Sequence, residues 1–140
     1  MNLIATTVIR YLLFYEVLHM REKQIKVLMV KALEEPRETV LQNDLDSLQK
    51  AVSIEADYQG LIEIIGIDDD VCILCNEEGK INGLPLNRPL RDDEGNIYDI
   101  IAGVFYVTGE DDDGNLTSLS PEMMEKYRKE FSLSNGAVIY

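Results

Sequence analysis

Seven residues between positions 76 and 88 carry most of the chemistry this chain can offer: Asn76, Glu77, Glu78, Lys80, Asn82, Asn87 and Arg88. An ammonium and a guanidinium are the groups that hold phosphate or carboxylate, the guanidinium as a two-pronged fork. The three carboxamides both donate and accept, so they could orient a bound group. Glu77 and Glu78 could serve as acid and base, but neighbours on a loop point apart and nothing marks a substrate cleft. The stretch 76–90 lies between two apolar runs, and a plain connector would need only four or five turn residues. Its length and variety read as a binding loop.

Charge distribution sharpens that reading. The chain holds 26 Asp and Glu against 13 Lys and Arg, for a net charge of −13. Between Ala51 and Glu125 there are eighteen acidic residues and three basic ones, Lys80, Arg88 and Arg91, all in or beside that stretch. Two readings stand side by side. The cations form an anion or carboxylate site, or they pair with Glu77, Glu78, Asp92 and Asp93 as surface ion pairs worth under ~1 kcal/mol each. For Arg88 the following Pro89 enforces an extended backbone, which would project the side chain from a stiff segment. Its structural alternative is an internal salt bridge to Glu77, Glu78 or Asp99.

Other chemistries fit poorly. Cys72 and Cys75 lie in an apolar run, Val71-Cys72-Ile73-Leu74-Cys75; on a strand they face opposite sides and cannot close a disulfide. With one histidine in the chain, His19, a Cys/His zinc set cannot be completed, and both thiols read as core residues in a reducing compartment. The same scarcity of histidine removes nucleophilic triads. Gly79-Lys80 resembles the end of a phosphate-binding loop, but Leu74 and Ile81 replace the required glycine and hydroxyl residue, so Gly79 reads as the positive-φ position of a turn. Asp111, Asp113, Asn115 and Glu122 match calcium-loop spacing, yet Leu116 stands where glycine is needed and the preceding segment reads as a strand. A solvated acidic turn explains the run. The acidic balance also argues against direct nucleic-acid binding.

At 140 residues the chain can bury about two thirds of its unfolded surface in one core. The pattern predicts a strand over 24–31 with Ile25, Val27 and Met29 on one face, broken at Glu34-Glu35-Pro36-Arg37. A helix follows from Leu45 to Ser53, capped by Asn43 or Asp44, with Leu45, Leu48, Ala51 and Val52 on one side. Residues 61–67 and 71–76 then form an antiparallel hairpin across Asp68-Asp69-Asp70, with Ile62, Ile64 and residues 71–75 buried. After the loop, the turn 92–96 leads into one long strand, 97–109, in which Gly103 marks a bulge or a close approach. Ser120-Pro121 starts a last helix with Met123, Met124, Tyr127 and Phe131 as its apolar stripe. The expected fold is α+β: an antiparallel sheet of four or five strands with two helices packed against it.

Residues 1–19 stand apart from this domain of residues 20–140. Arg10 and Glu16 interrupt the apolar run, which is too short for a membrane span and lacks signal-peptide features. Met20 is an alternative start, since Glu16-Val17 can be encoded by a ribosome-binding-like sequence.

Asn76-Glu77-Glu78-Gly79-Lys80, Leu84-Pro85-Leu86-Asn87-Arg88, the run from Tyr98 to Phe105 and Ser118-Leu119-Ser120 together resemble an uncharacterised bacterial and phage family, domain of unknown function 3846. The resemblance spans Lys26 to Phe131 and includes Leu45, Leu48, Gln49 and Val52 on the first helix. Where the family often has a glycine before Ile62-Glu63, this chain carries the longer 53–60 segment. The resemblance implies an accessory role in a phage, plasmid or conjugative element, in some cases beside antirestriction-type genes. The expected protein is therefore a non-enzymatic, cytoplasmic binding protein acting on a host protein, possessing neither cofactor nor metal. The alternative is a small-ligand binder that holds a nucleotide or another phosphate or carboxylate on the 76–90 loop. An enzyme ranks third.

Overall fold

The computed structural model describes residues 22–136. The segment 1–19 and the alternative start at Met20 lie outside the described residues.

Strand β1 (Gln24–Val30) alternates as its sequence predicts, with Ile25, Val27 and Met29 buried on one face and Leu28 and Val30 on the other. The expected break lies in a hairpin connection over residues 31–36, where the Glu34 amide donates to Lys31 O at 3.2 Å and Leu33 has φ 61°. It leads into β2 (Arg37–Gln42), antiparallel to β1 from Gln24↔Gln42 to Met29↔Arg37. The sequence reading missed β2 because RETVLQ is an edge strand, mostly solvated and polar. Helix α1 (Leu45–Ala51) begins at Asp44, whose Oδ1 accepts from the Ser47 amide at 2.8 Å. Leu48 and Val52 are buried, but Leu45 is 67% exposed and does not join the expected stripe.

Strands β3 (Ile62–Asp68) and β4 (Val71–Asn76) form the expected hairpin, with Asp70 at φ 58° in its turn. All six residues of β4 are buried, and its two thiols do face opposite sides, Cys72 packing with Leu74 and Cys75 with Ile73. Ile64 corrects an expectation: it is 54% exposed, since β3 is an edge strand and its outer half has no covering helix among the described residues.

Two further corrections concern the middle of the chain. The stretch 76–90 is not a single loop. Asn76 ends β4, and residues 86–90 belong to β5 (Leu86–Arg91), which pairs with β6 (Ile97–Ala102) in a separate two-stranded sheet. The expected long strand 97–109 is two strands in different sheets, β6 and β7 (Phe105–Glu110). Gly103 makes the break. Its φ of 85° suits glycine, and a Cβ there would stand 2.9 Å from Leu84 Cδ1, so the close approach is real.

Strand β7 is the middle of a six-stranded antiparallel sheet ordered β2-β1-β7-β4-β3, with β8 (Leu116–Thr117) pairing the end of β7. Helix α2 (Pro121–Glu130) starts as predicted, Ser120 Oγ accepting from the Met123 amide at 3.2 Å. The sheet is covered on both sides. One face packs Leu48 and Val52 at α1 against Val27, Leu74 and Tyr106. The other packs α2 and the β5–β6 hairpin against Leu28, Ile73 and Val107, with the Phe105 and Phe131 rings edge to face at 5.1 Å. The protein is thus α+β, and none of its described helices is long and apolar enough to cross a membrane.

Candidate functional site

The seven residues that carry the chemistry separate into three groups. Asn76 is buried at the end of β4 and works on the backbone: its Oδ1 accepts from the Glu78 amide at 2.9 Å, and its Nδ2 reaches Val52 O at 3.5 Å. It fastens the start of the loop to the end of α1. Residues 77–85 then fold as consecutive turns, with Asn82 N donating to Glu78 O and Leu84 N to Gly79 O, both at 2.9 Å. Gly79 does not supply a positive φ; Gly83 does, at 69°. Gly79 is needed because a Cβ there would lie 2.6 Å from the Ala102 carbonyl oxygen.

Glu77, Glu78, Lys80 and Asn82 form the outer group, with Glu78 half-buried and the other three exposed. Lys80 Nζ pairs with Asp99 Oδ1 at 2.6 Å, so one of the three carboxylates foreseen for Arg88 belongs to Lys80. The Tyr58 hydroxyl stands 3.0 Å from Asn82 Oδ1 and 3.4 Å from Glu78 Oε2, which ties the loop to the segment before β3.

Asn87 and Arg88 form an interior pair, 0% and 1% exposed. Arg88 does lie in a strand, as the following proline requires, but its side chain points inward. The β5–β6 register shifts between Leu86 and Pro89, and such an irregularity turns two consecutive side chains into the core. Arg88 meets none of the carboxylates expected of it. Nε donates to Phe131 O at 2.9 Å, Nη1 to Lys31 O at 3.2 Å and to Asn87 Oδ1 at 2.8 Å, and Nη2 to Glu34 O. Asn87 Nδ2 in turn donates to Val30 O and Gly103 O at 2.9 and 3.0 Å. Burial pulls the Arg88 guanidinium below its ordinary pKa, with Glu35 offsetting part of that shift. The pair is a clamp on backbone carbonyls.

A cleft of about 280 Å³ opens beside the loop, between the ends of β3 and β4 and the strand β6. Ile65, Cys75 and Ile101 form its apolar floor, and Glu63, Glu77, Lys80 and Asp99 stand around it. Burial pushes the Cys75 thiol up to about 12, with the Glu63 and Asp99 carboxylates adding to the rise, so the floor is not nucleophilic at neutral pH. Three carboxylates and one paired ammonium leave the rim negative. The sequence offered no signal for Glu63, which sits in an ordinary apolar strand.

A second cleft of about 320 Å³ lies between the end of β3, β5 and α2. There Asp68 Oδ2 accepts from Lys126 Nζ at 2.6 Å and from the Tyr127 hydroxyl at 2.9 Å. Lys126, then Tyr127 and the Asp69 amide, hold the Asp68 carboxyl down at about 2. The calcium-like run is self-satisfied: Asp111 Oδ1 accepts from the amides of Asp113 and Asn115 at 3.0 and 2.8 Å. Among the described residues no three His, Cys, Asp or Glu side chains come together as metal ligands.

The fold and this region define an α+β domain whose sheet carries helices on both faces and an acidic cleft with an apolar floor at one end. The chain belongs to the family described as Domain of unknown function (DUF3846), whose model matches residues 25–132. No curated protein and no solved structure matches it.

Proposed function

We propose that the protein is a non-enzymatic accessory binding protein of a phage or plasmid that engages a basic host protein in the cytoplasm, in an anti-defence setting. The mobile-element setting follows from the family resemblance, and the contact follows from electrostatics. One observation carries the choice of partner: both cations expected to hold an anion are already committed, Arg88 to backbone carbonyls in the interior and Lys80 to Asp99. A nucleotide or carboxylate entering the loop cleft meets Glu63, Glu77 and Asp99 around an ammonium that is neutralised. A lysine or arginine of a partner meets complementary charge, which speeds encounter and selects against acidic competitors.

The test is a titration of the full-length chain with a lysine-rich peptide at several salt concentrations, beside a thermal-shift panel of nucleotides and inorganic phosphate. The expected result is peptide binding that weakens with salt, and no shift from the small anions. A nucleotide or phosphate that raises the melting temperature, with the effect lost in Lys80→Ala, would replace this reading by small-anion binding.

A further inference from the structure

We infer that the free edge of β3 is a strand-addition site for an extended segment in which basic and apolar residues alternate. This rests on the reading of the acidic face as the contact with a basic partner, and it names the recognition mode.

β3 ends the sheet order and pairs only with β4 among the described residues. The Glu77 amide donates to Leu61 O at 3.0 Å, and the same register continues through Glu63↔Cys75 and Ile65↔Ile73. In an antiparallel ladder hydrogen-bonded and non-bonded pairs alternate. Glu63 and Ile65 therefore bond to β4, while the peptide groups of Ile62, Ile64 and Gly66 face outward. The register shift between Gly66 and Asp68 closes the edge at that end.

The two sides of this edge differ in chemistry. Glu63 and Ile65 border the acidic cleft with Glu77 and Asp99. On the opposite side Ile64 is 54% exposed, and a Cβ at Gly66 would meet no atom within 4 Å. Side chains of an added strand also alternate. Every second one would stand over the carboxylates, and the others over Ile64 and the open space at Gly66.

Natural edges are commonly blocked by lysine. From Ala51 to Gly79 this chain has eight acidic residues and no basic one. Those charges repel a second copy of the same edge and admit a basic strand. The other edge, β2, differs: it carries Arg37 beside Glu38, and Glu38 is paired with Arg128 at 3.4 Å. Main-chain pairing would give affinity and the alternating side chains specificity.

The experiment is residue-resolved amide exchange on the full-length chain with a ten-residue peptide alternating lysine and valine. A peptide of the same composition with lysines and valines in separate blocks is the control. Exchange at Ile62, Ile64 and Gly66 is expected to slow at least tenfold with the alternating peptide and not with the block peptide. Ile64→Pro removes one outward N–H without touching the ladder to β4, and should weaken the alternating peptide at least tenfold. Glu63→Lys, at an exposed side chain, should weaken it as well and serves if the proline variant does not fold. Peptide binding that leaves those three amides unchanged would overturn the edge assignment while leaving the acidic-face reading in place. If neither peptide binds, both readings fall. Slow exchange at these amides in the free chain, or a concentration-dependent dimer protecting them, would assign the edge to the chain's own residues or to a second copy and overturn the proposal.

Discussion

Arg88 Nε donates to the carbonyl oxygen of Phe131 at 2.9 Å, joining β5 to the end of α2 across 43 residues of sequence. Phe131 is the C-cap of α2, so its carbonyl belongs to the helix end that lacks partners within the helix. A guanidinium at that end is also favoured by the helix dipole. The remaining donors reach Lys31 and Glu34 in the β1–β2 turn, so one side chain fastens three segments.

Removing that side chain should therefore act on stability. Arg88→Ala removes the donor from Phe131 O, Asn87 Oδ1 and Glu34 O, whereas Lys31 O keeps the Glu34 amide at 3.2 Å; a buried acceptor left unpaired costs about 1–3 kcal/mol. A loss of about 3 kcal/mol or more is expected in urea unfolding. Arg88→Lys should fall between, because an ammonium cannot reproduce the planar fork. An Arg88→Ala protein within about 0.5 kcal/mol of the parent would contradict the clamp.

Ile73 and Ile64 lie on adjacent strands and should respond very unequally. Ile73 is 0% exposed and packs in the core beneath α2, so Ile73→Ala should cost about 2–4 kcal/mol through lost transfer energy and a cavity. Ile64 is 54% exposed at the sheet edge, and Ile64→Ala should change stability by about 0.5 kcal/mol or less. Equal losses in parallel urea melts would mean that β3 is covered in solution.

Asp68 predicts a specific acid limb. Its folded pKa is depressed from 3.8 to about 2 by Lys126 and Tyr127. The carboxylate form is the one stabilised by folding, so its contribution is complete above the unfolded pKa and is lost as pH falls from about 4 towards 2. Asp68→Asn should reduce the stability difference between pH 6 and pH 3, measured by urea midpoints, relative to the parent. An unchanged difference would show that the contact with Lys126 does not persist in solution.

In the acidic turn the three aspartates are not equivalent. All three are exposed, but the Asp111 carboxyl accepts hydrogen bonds from Asn115 and the Asp113 amide, which hold it below its usual range. Asp111→Ala should lower the urea midpoint, because the turn amides lose their acceptor. Asp112→Asn together with Asp113→Asn should leave the midpoint unchanged or raise it by easing repulsion. A fall caused by the double variant alone would place the turn's anchor at the wrong residue.

Local rules were sufficient where a segment's own residues set its structure. The alternation of β1, a cap at Asn43 or Asp44, the Ser120 cap, the hairpin at Asp68–Asp70 and the opposed thiols of Cys72 and Cys75 were all legible, since period, cap and turn chemistry act over a few residues. The edge strand β2 was not, because a solvated strand needs no apolar pattern. Only tertiary structure decided that Gly103 divides two sheets, because the apolar residues on either side suit one strand as well as two. The candidate site depended on it most. Arg88 reaches carbonyls 43 to 57 residues away and Lys80 reaches a carboxylate 19 residues away. A charged side chain on a sequence is free to meet a ligand or the protein itself, and which one it meets depends on what packing leaves unpaired nearby. Here packing left backbone carbonyls at the ends of α2 and β1, and the cation went inward.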